Sequence, residues 1–253
     1  MQALPLPSGM TPDIASLEQA TLAAVPPQAV EVLDGWLLGI DDGTVGRAHS
    51  AVPTRHEAVR HDLVEAIEAR YAERGMTAVF RVPEAPAFDL LRQVLAGRGY
   101  RPTQPTLTML GTVQGMASLA ASAEVSLADT PGDAWGAVFL GEGFDPVDGA
   151  SRLAILRRSR ESAFAGATVA GRLAAVGSAC FSHGWCGVHG MRTAPAWRGR
   201  GLAGSILAAL GRAAQERGLE RAFLQVERGN AAAQKLYRRA GLLTGWCYEY
   251  WRR

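Results

Sequence analysis

The sequence predicts a mixed α+β protein in two lobes. Three observations carry that expectation. Strand-like runs come in pairs broken by single helices, which indicates a mixed sheet. A stretch rich in Gly, Ala and Ser near Gly111–Ser126 has weak helical or strand periodicity and marks a seam. Both halves end in the order strand–strand–helix–strand–helix–strand, so a duplicated fold is expected. The 253 residues accommodate one large or two small domains. The lobes are placed at residues 1–115 and 123–253.

The elements follow in order. A short helix is predicted over Thr11–Ala24, stopped by Pro26-Pro27. Two strand-like runs, Gly35–Ile40 and Val45–Val52, flank Asp41-Asp42-Gly43-Thr44, an Asp-Gly hairpin signal. Val59, Leu63, Ala66 and Ile67 recur at helical spacing within Arg55–Arg74, closed by Gly75. A strand Thr77–Val82, a helix Ala87–Ala96 and a strand Thr106–Leu110 complete the first lobe. In the second, Glu124–Leu127 reads as a strand. Asp133–Leu140 and Asp148–Ala163 read as helices around the loop Gly141–Pro146. Strands Thr168–Ala170, Leu173–Phe181 and Trp185–Thr193 follow. Then come a helix Gly201–Arg217, a strand Ala222–Val226, a helix Ala231–Ala240 stopped by Gly241, and a strand Leu242–Tyr250.

Composition narrows the function classes. Hydrophobic residues make up 48% and charged residues 20%, which argues against disorder over most of the length. The net charge of +2 is too balanced to imply a nucleic-acid partner. Lys235 is the only lysine among the 26 basic residues. Cys180, Cys186 and Cys247 form no CxxC pair, as expected of free thiols in a reducing compartment. The N-terminus has no basic, apolar leader pattern, and no stretch is long enough to span a membrane. A cytoplasmic protein without membrane partner or bound metal is expected.

The segment Met191-Arg192-Thr193-Ala194-Pro195-Ala196-Trp197-Arg198-Gly199-Arg200-Gly201-Leu202-Ala203-Gly204 leaves a strand and enters a long helix. A helix start has unpaired N–H groups and a partly positive dipole end, which favour an anionic phosphate. Gly199 and Gly201 allow close backbone approach, and Arg198 and Arg200 add charge-assisted donors. Gly199, Gly201 and Gly204 also spell G-x-G-x-x-G. A dinucleotide site would need that pattern in the first unit of a parallel sheet, whereas here it lies in the last quarter of the chain.

The next strand leads into Asn230-Ala231-Ala232-Ala233-Gln234-Lys235-Leu236-Tyr237. Asn230 is an N-cap candidate, and Ala233 and Tyr237 share a helical face with it. Together the two segments resemble the GCN5-related N-acetyltransferase (GNAT) superfamily. Its pyrophosphate loop Q/R-x-x-G-x-G/A is matched by Arg198–Ala203. Its later helix N-x-x-A-x-x-x-Y-x-x-x-G is matched at Asn230, Ala233, Tyr237 and Gly241. The resemblance covers about Glu124–Tyr250. The first lobe is more weakly similar to the first half of two-lobed bacterial members, through Asp34–Leu38 and Arg47–Pro53. His49 stands where asparagine is expected, and Pro53–Glu57 lacks a phosphate loop. That lobe reads as a degenerate copy that supports or walls the acceptor site.

The resemblance implies two GNAT-like lobes of mixed, mostly antiparallel sheet flanked by helices, the C-terminal one complete. It implies acetyl-coenzyme A as donor and a primary amine, small or on a protein, as acceptor, with direct transfer. Met191, Arg192 and Thr193 would face the pantetheine arm. Arg198, Gly199, Arg200, Gly201, Leu202 and Ala203 would hold the pyrophosphate, Asn230 would bond the pantetheine, and Ala233 would lie at the coenzyme. Tyr237 would serve the departing thiolate. The phenol's reference pKa of about 10 exceeds a thiol's of about 8.5, so Tyr237 is expected to act mainly as a hydrogen-bond donor.

No motif fixes the base that deprotonates the amine. Glu227, His189 (read as sharing a strand face with Met191) and a water chain are all open. Cys186 has no His/Asp partners for nucleophilic catalysis. Asp145 and Asp148 are candidates to attract a cationic acceptor. A non-catalytic acyl-coenzyme-binding sensor or scaffold is the alternative, with a nucleotide-dependent oxidoreductase third. A monomer or homodimer is expected.

Overall fold

The computed structural model describes residues 13–57, 59–142 and 144–253. Helix α1 (Ile14–Ala24) begins where the Asp13 carboxylate accepts from the Ser16 amide; Thr11, expected at its start, lies outside the described residues. Strands β1 (Ala29–Leu33) and β2 (Trp36–Ile40) form an antiparallel hairpin. Asp34 and Gly35 join them with φ of 39° and 87°, the double positive φ of a tight hairpin turn. This corrects the sequence reading, which gave no strand at Ala29–Leu33 and put the turn at Asp41–Thr44. There the Asp41 side chain instead accepts from the Gly43 amide at 2.9 Å, a local turn that opens a loop. The run Val45–Val52 shrinks to β3 (Ala51–Pro53).

The first half continues with α2 (Val64–Ala72), β4 (Phe80–Pro83), α3 (Asp89–Gly97) and β5 (Arg101–Thr112). The expected seam holds a helix, α4 (Val113–Ala117), capped by the Thr112 hydroxyl and packed on the later helix α7 (Leu202–Gln215). The second half comprises β6 (Val125–Ala128), α5 (Asp133–Leu140), α6 (Pro146–Arg158), β7 (Ser162–Val169), β8 (Arg172–Ser182), β9 (Trp185–Thr193), α7, β10 (Arg221–Glu227), α8 (Ala231–Arg239) and β11 (Leu243–Arg252). The helix expected to reach Ala163 ends at Arg158, and β7 occupies the Ala-rich run beyond it. Helix propensity loses there because β7 is paired on both sides and buried, with the Trp135 indole donating to the Ala165 carbonyl at 3.0 Å.

All strands join one eleven-stranded sheet, in the order β1-β2-β3-β4-β11-β5-β10-β9-β8-β7-β6. The two halves are therefore interleaved. β5, from the first half, lies between β11 and β10, while β11, from the second, lies between β4 and β5. Helix α7 and α4 cover one sheet face with an Ala- and Leu-rich core. Helices α2 and α3 bury Trp36, Tyr71, Phe80 and Tyr100 in the first half. Helix α1 crosses over: Leu17 and Ala20 pack against Leu110, Trp185 and Phe223. No helix among the described residues is long and apolar enough to cross a membrane.

An ion pair locks α1 to β4. Arg81 Nη2 lies 2.5 Å from Glu18 Oε2, and the two side chains are 1% and 2% exposed. A buried charge without its partner is far costlier than the intact pair. Glu18→Ala is expected to lower unfolding free energy by about 3–5 kcal/mol in urea titrations. The double variant Glu18→Leu/Arg81→Met is expected to recover most of it; equal loss in both would assign the effect to α1 packing instead.

Candidate functional site

The site begins with a defect in the sheet. β9 runs parallel to β10 only from Trp185↔Arg221 to Val188↔Leu224. On its other side, the register against β8 shifts between His189↔Ser178 and Arg192↔Val176, so Gly190 and Met191 oppose Gly177. Gly190 accepts this bulge with φ of +62°. A bulged strand bends away from its neighbour, while β10 stays paired with β5 as far as Glu227↔Thr106. β9 and β10 part, and a cavity of about 380 Å³ opens between them. Backbone groups of Gly190–Thr193 on the β10 side lose their strand partner there.

His189, Met191, Arg192, Glu227, Asn230 and Tyr237 all line this cavity. Thr193, Ala233 and the loop Arg198–Ala203 do not. The loop continues from the end of β9 through a short turn, Pro195–Trp197, to α7. Gly199 and Gly201 have φ of +77° and +79°. Among the described residues, the amides of Gly199, Arg200, Gly201, Leu202 and Ala203 donate to no protein group. Arg198 Nε donates to the Thr193 carbonyl at 3.4 Å, and the Arg200 guanidinium stacks 4.8 Å from the Trp197 ring centre. Such a run of unpartnered N–H donors at a helix start fits a diphosphate.

Asn230 caps α8: its Oδ1 accepts from the Ala233 amide at 3.1 Å, which leaves its side-chain NH₂ to donate. Ala233 itself packs into the core under α7. Tyr237 is buried, and burial pushes its phenol up to about 12. His189 is 5% exposed, and neither ring nitrogen has a partner among the described residues. Burial, aided by the Arg47 charge, holds its pKa well below the usual imidazole range. It lies edge-on to Phe223, with ring centres 5.9 Å apart.

The expected shared face of His189 and Met191 is corrected by the bulge, which resets strand alternation between them. Met191 packs with the α7 cluster, whereas His189 turns towards Phe223. Glu227 is exposed and accepts from Gln104 Nε2 at 3.4 Å. Asp145 and Asp148 are not free for a cation: Asp145 caps α6, and Asp148 pairs with Arg152 at 2.9 Å and accepts from the Thr44 hydroxyl. Cys186 is fully buried, and burial raises its thiol to about 12, which suits no nucleophile.

The sequence reading missed part of the wall. Thr44, Gly46 and Arg47 come from the loop between β2 and β3, and Tyr248, Tyr250 and Arg252 from β11. That loop is pinned to α6: Arg158 pairs with the buried Asp41 at 2.5 Å, and the Thr44 amide donates to Ser151 Oγ at 3.0 Å. The first half thus forms one wall of the cavity. Arg47 opens the run that carries the first-lobe resemblance, but docking of its loop on α6 and the pairing of β11 with β5 are what bring these residues to the cavity.

The fold, the bulged and parted strands and the glycine loop together define an acetyltransferase architecture. The family described as "Probable histone acetyltransferase Rv0428c C-terminal" matches residues 11–251, and the chain belongs to this family within the GNAT superfamily. Among solved structures, a GCN5-related N-acetyltransferase from Kribbella flavida is similar with a TM-score of 0.70 at 17% identity, covering 96% of each chain. A functionally unknown conserved protein from Staphylococcus epidermidis has a TM-score of 0.69 at 10% identity, covering 90% of this chain and 94% of its own. A tandem GNAT protein from the clavulanic acid biosynthesis pathway has a TM-score of 0.58 at 12% identity, covering 99% and 97%. At these identities the likeness is one of fold. No curated protein matches.

Two expectations follow. A Cβ at Gly199 meets open space, so Gly199→Ala is strained by its positive φ alone, at about 1–2 kcal/mol. It should weaken coenzyme A binding in calorimetry, and unchanged affinity would remove the loop from the site. His189 has a depressed folded-state pKa, so below about pH 6.5 the unfolded chain takes up a proton that the folded one refuses. Melting temperature should therefore fall as pH drops below that value, and less steeply in His189→Leu. Parallel curves would mean that His189 is protonated in the folded state.

Proposed function

We propose that this protein transfers an acetyl group from acetyl-coenzyme A to a primary amine by direct attack. The observation that carries the reading is the run of unpartnered amides from Gly199 to Ala203, which follows directly on the freed backbone of β9 beside Tyr237. Those amides, with Arg198 and Arg200, hold the diphosphate. The unpaired edge of Gly190–Thr193 receives the peptide-like pantetheine arm as an added strand, and the Asn230 side-chain NH₂ donates to it. Acetyl-coenzyme A supplies an activated thioester carbonyl. A backbone N–H at Met191 or Arg192 faces the oxygen on which negative charge develops.

The amine nitrogen forms a C–N bond to the carbonyl carbon as the C–S bond breaks. The acceptor arrives as an ammonium and loses two protons, one to Glu227 before attack and one to solvent once the C–N bond has formed, and the thiolate gains one from solvent. Tyr237 donates a hydrogen bond to the leaving sulfur and keeps its own proton, because burial holds its phenol near 12. Glu227 takes the amine proton, directly or through water. His189 is disfavoured in that role, since protonation would bury a second cation beside Arg47.

Purified protein mixed with acetyl-coenzyme A and a panel of amines should release free thiol. Binding of the coenzyme with no release to any amine would favour a sensor or scaffold instead. Tyr237→Phe should lower kcat roughly 100-fold with coenzyme affinity unchanged, and an unaltered kcat would remove Tyr237 from the chemistry. Glu227→Gln should depress the rate near neutrality and converge on wild type at alkaline pH, where the amine has already lost its proton. A uniform loss across pH would make Glu227 a binding residue rather than the base.

A further inference from the structure

The charged lining of the cavity has its own chemistry. It consists of Arg47, Arg152, Arg192, Arg252 and Glu227. Arg152 is committed to Asp148. Among the described residues, no carboxylate pairs with Arg47, Arg192 or Arg252. Arg192 is steadied by the Leu140 carbonyl at 2.9 Å, and Arg252 by the Thr103 hydroxyl at 2.7 Å and the Tyr250 ring. These contacts hold the guanidiniums without neutralising them.

Arg47 carries the argument furthest. Its Nη1 donates to Gln225 Oε1 at 3.1 Å, which uses the only acceptor of that amide. Arg47 Nε and Gln225 Nε2 are then both buried donors without a partner, and His189 beside them has two unpartnered ring nitrogens. Buried donors are normally satisfied. Arginine Nε and the glutamine NH₂ can only give hydrogen bonds. An occupant that satisfied these donors would supply acceptor oxygens, and the guanidiniums favour anionic ones, since the one carboxylate whose charge reaches Arg47, Glu18, is already paired with Arg81.

We infer that the acceptor is a small amine bearing a carboxylate, of the amino-acid class, with the carboxylate held by Arg47 and Gln225 and its charge met by Arg252. The inference rests on the acetyl-transfer reading and names the substrate for it. Size agrees, since about 380 Å³ must admit the thioester end as well as the acceptor. A lysine-rich protein tail fits poorly, because it would add cations to a wall that already holds three unmatched ones, Arg47, Arg192 and Arg252.

The test measures thiol release from acetyl-coenzyme A with the common amino acids, their carboxamides and a lysine-rich peptide. It is paired with calorimetry of the same amino acids on coenzyme-loaded protein. The preferred amino acid should exceed its own carboxamide roughly 100-fold in kcat/KM. Arg47→Gln should cut that ratio to about fivefold, acting on the KM of the acceptor. Arg47→Lys, which keeps the charge but loses the planar fork, should lie between. Carboxamides or the peptide acetylated as well as the amino acids would overturn the inference and leave acetyl transfer standing. Arg47-dependent binding of amino acids with no thiol release would remove acetyl transfer yet keep the ligand class. An unchanged ratio in a folded Arg47→Gln protein would also overturn the inference.

Discussion

β5 hydrogen-bonds to β11 along one edge and to β10 along the other, and β11 in turn reaches β4. Part of the cavity wall depends on that exchange. It sets Gln104 and Thr106 beside Glu227, and it carries Tyr248, Tyr250 and Arg252 across from the end of the chain to the loop that holds Arg47. Two register shifts interrupt the β5–β11 ladder, between Thr244 and Trp246 and between Tyr248 and Tyr250. The seam is therefore continuous but bent. Helix α1 reinforces it, packing on β8 and β9 while its Glu18 grips Arg81 on β4.

Within that frame, one glycine divides labour between sheet and site. The bulge at Gly190 ends parallel pairing, frees a length of strand edge and turns His189 and Met191 to different neighbours. The opening it creates carries four guanidiniums, Arg47, Arg152, Arg192 and Arg252, and among the described residues Glu227 is the one carboxylate on its wall. The polarity of the cavity is thus suited to anionic groups.

Much of the second half was legible because its signals are local. β9 and α5 fall on their predicted bounds, and α7, β10 and α8 within a residue or two of theirs. The glycines of the phosphate loop and the Asn230 cap announce backbone geometry that few other residues tolerate. What failed was set by distant partners. Ala29–Leu33 is a short edge strand whose Val30 and Val32 face outwards, and both its apolar run and the Asp34-Gly35 turn before Trp36–Ile40 were usable signals. The start of the Ala-rich β7, Ser162-Ala163, reads as the end of a helix until the strands beside it are known, and only its far end, from Thr168, reads as strand. Arg47 belongs to the site only because Asp41 and Thr44 dock on α6, a contact no spacing within the sequence encodes.

The interleaving also bears on how the chain is made. β4 is shielded on its inner side by β11, the last strand in sequence, and pairs with β3 at a single register position, Ala51↔Phe80. During synthesis, then, the first half emerges with an open sheet edge that nothing yet available can close. Such a nascent chain would have to wait, exposed to association with its neighbours, until the final strand leaves the ribosome. Closing that edge is a long-range pairing, Trp251 with Phe80, of the kind that forms slowly.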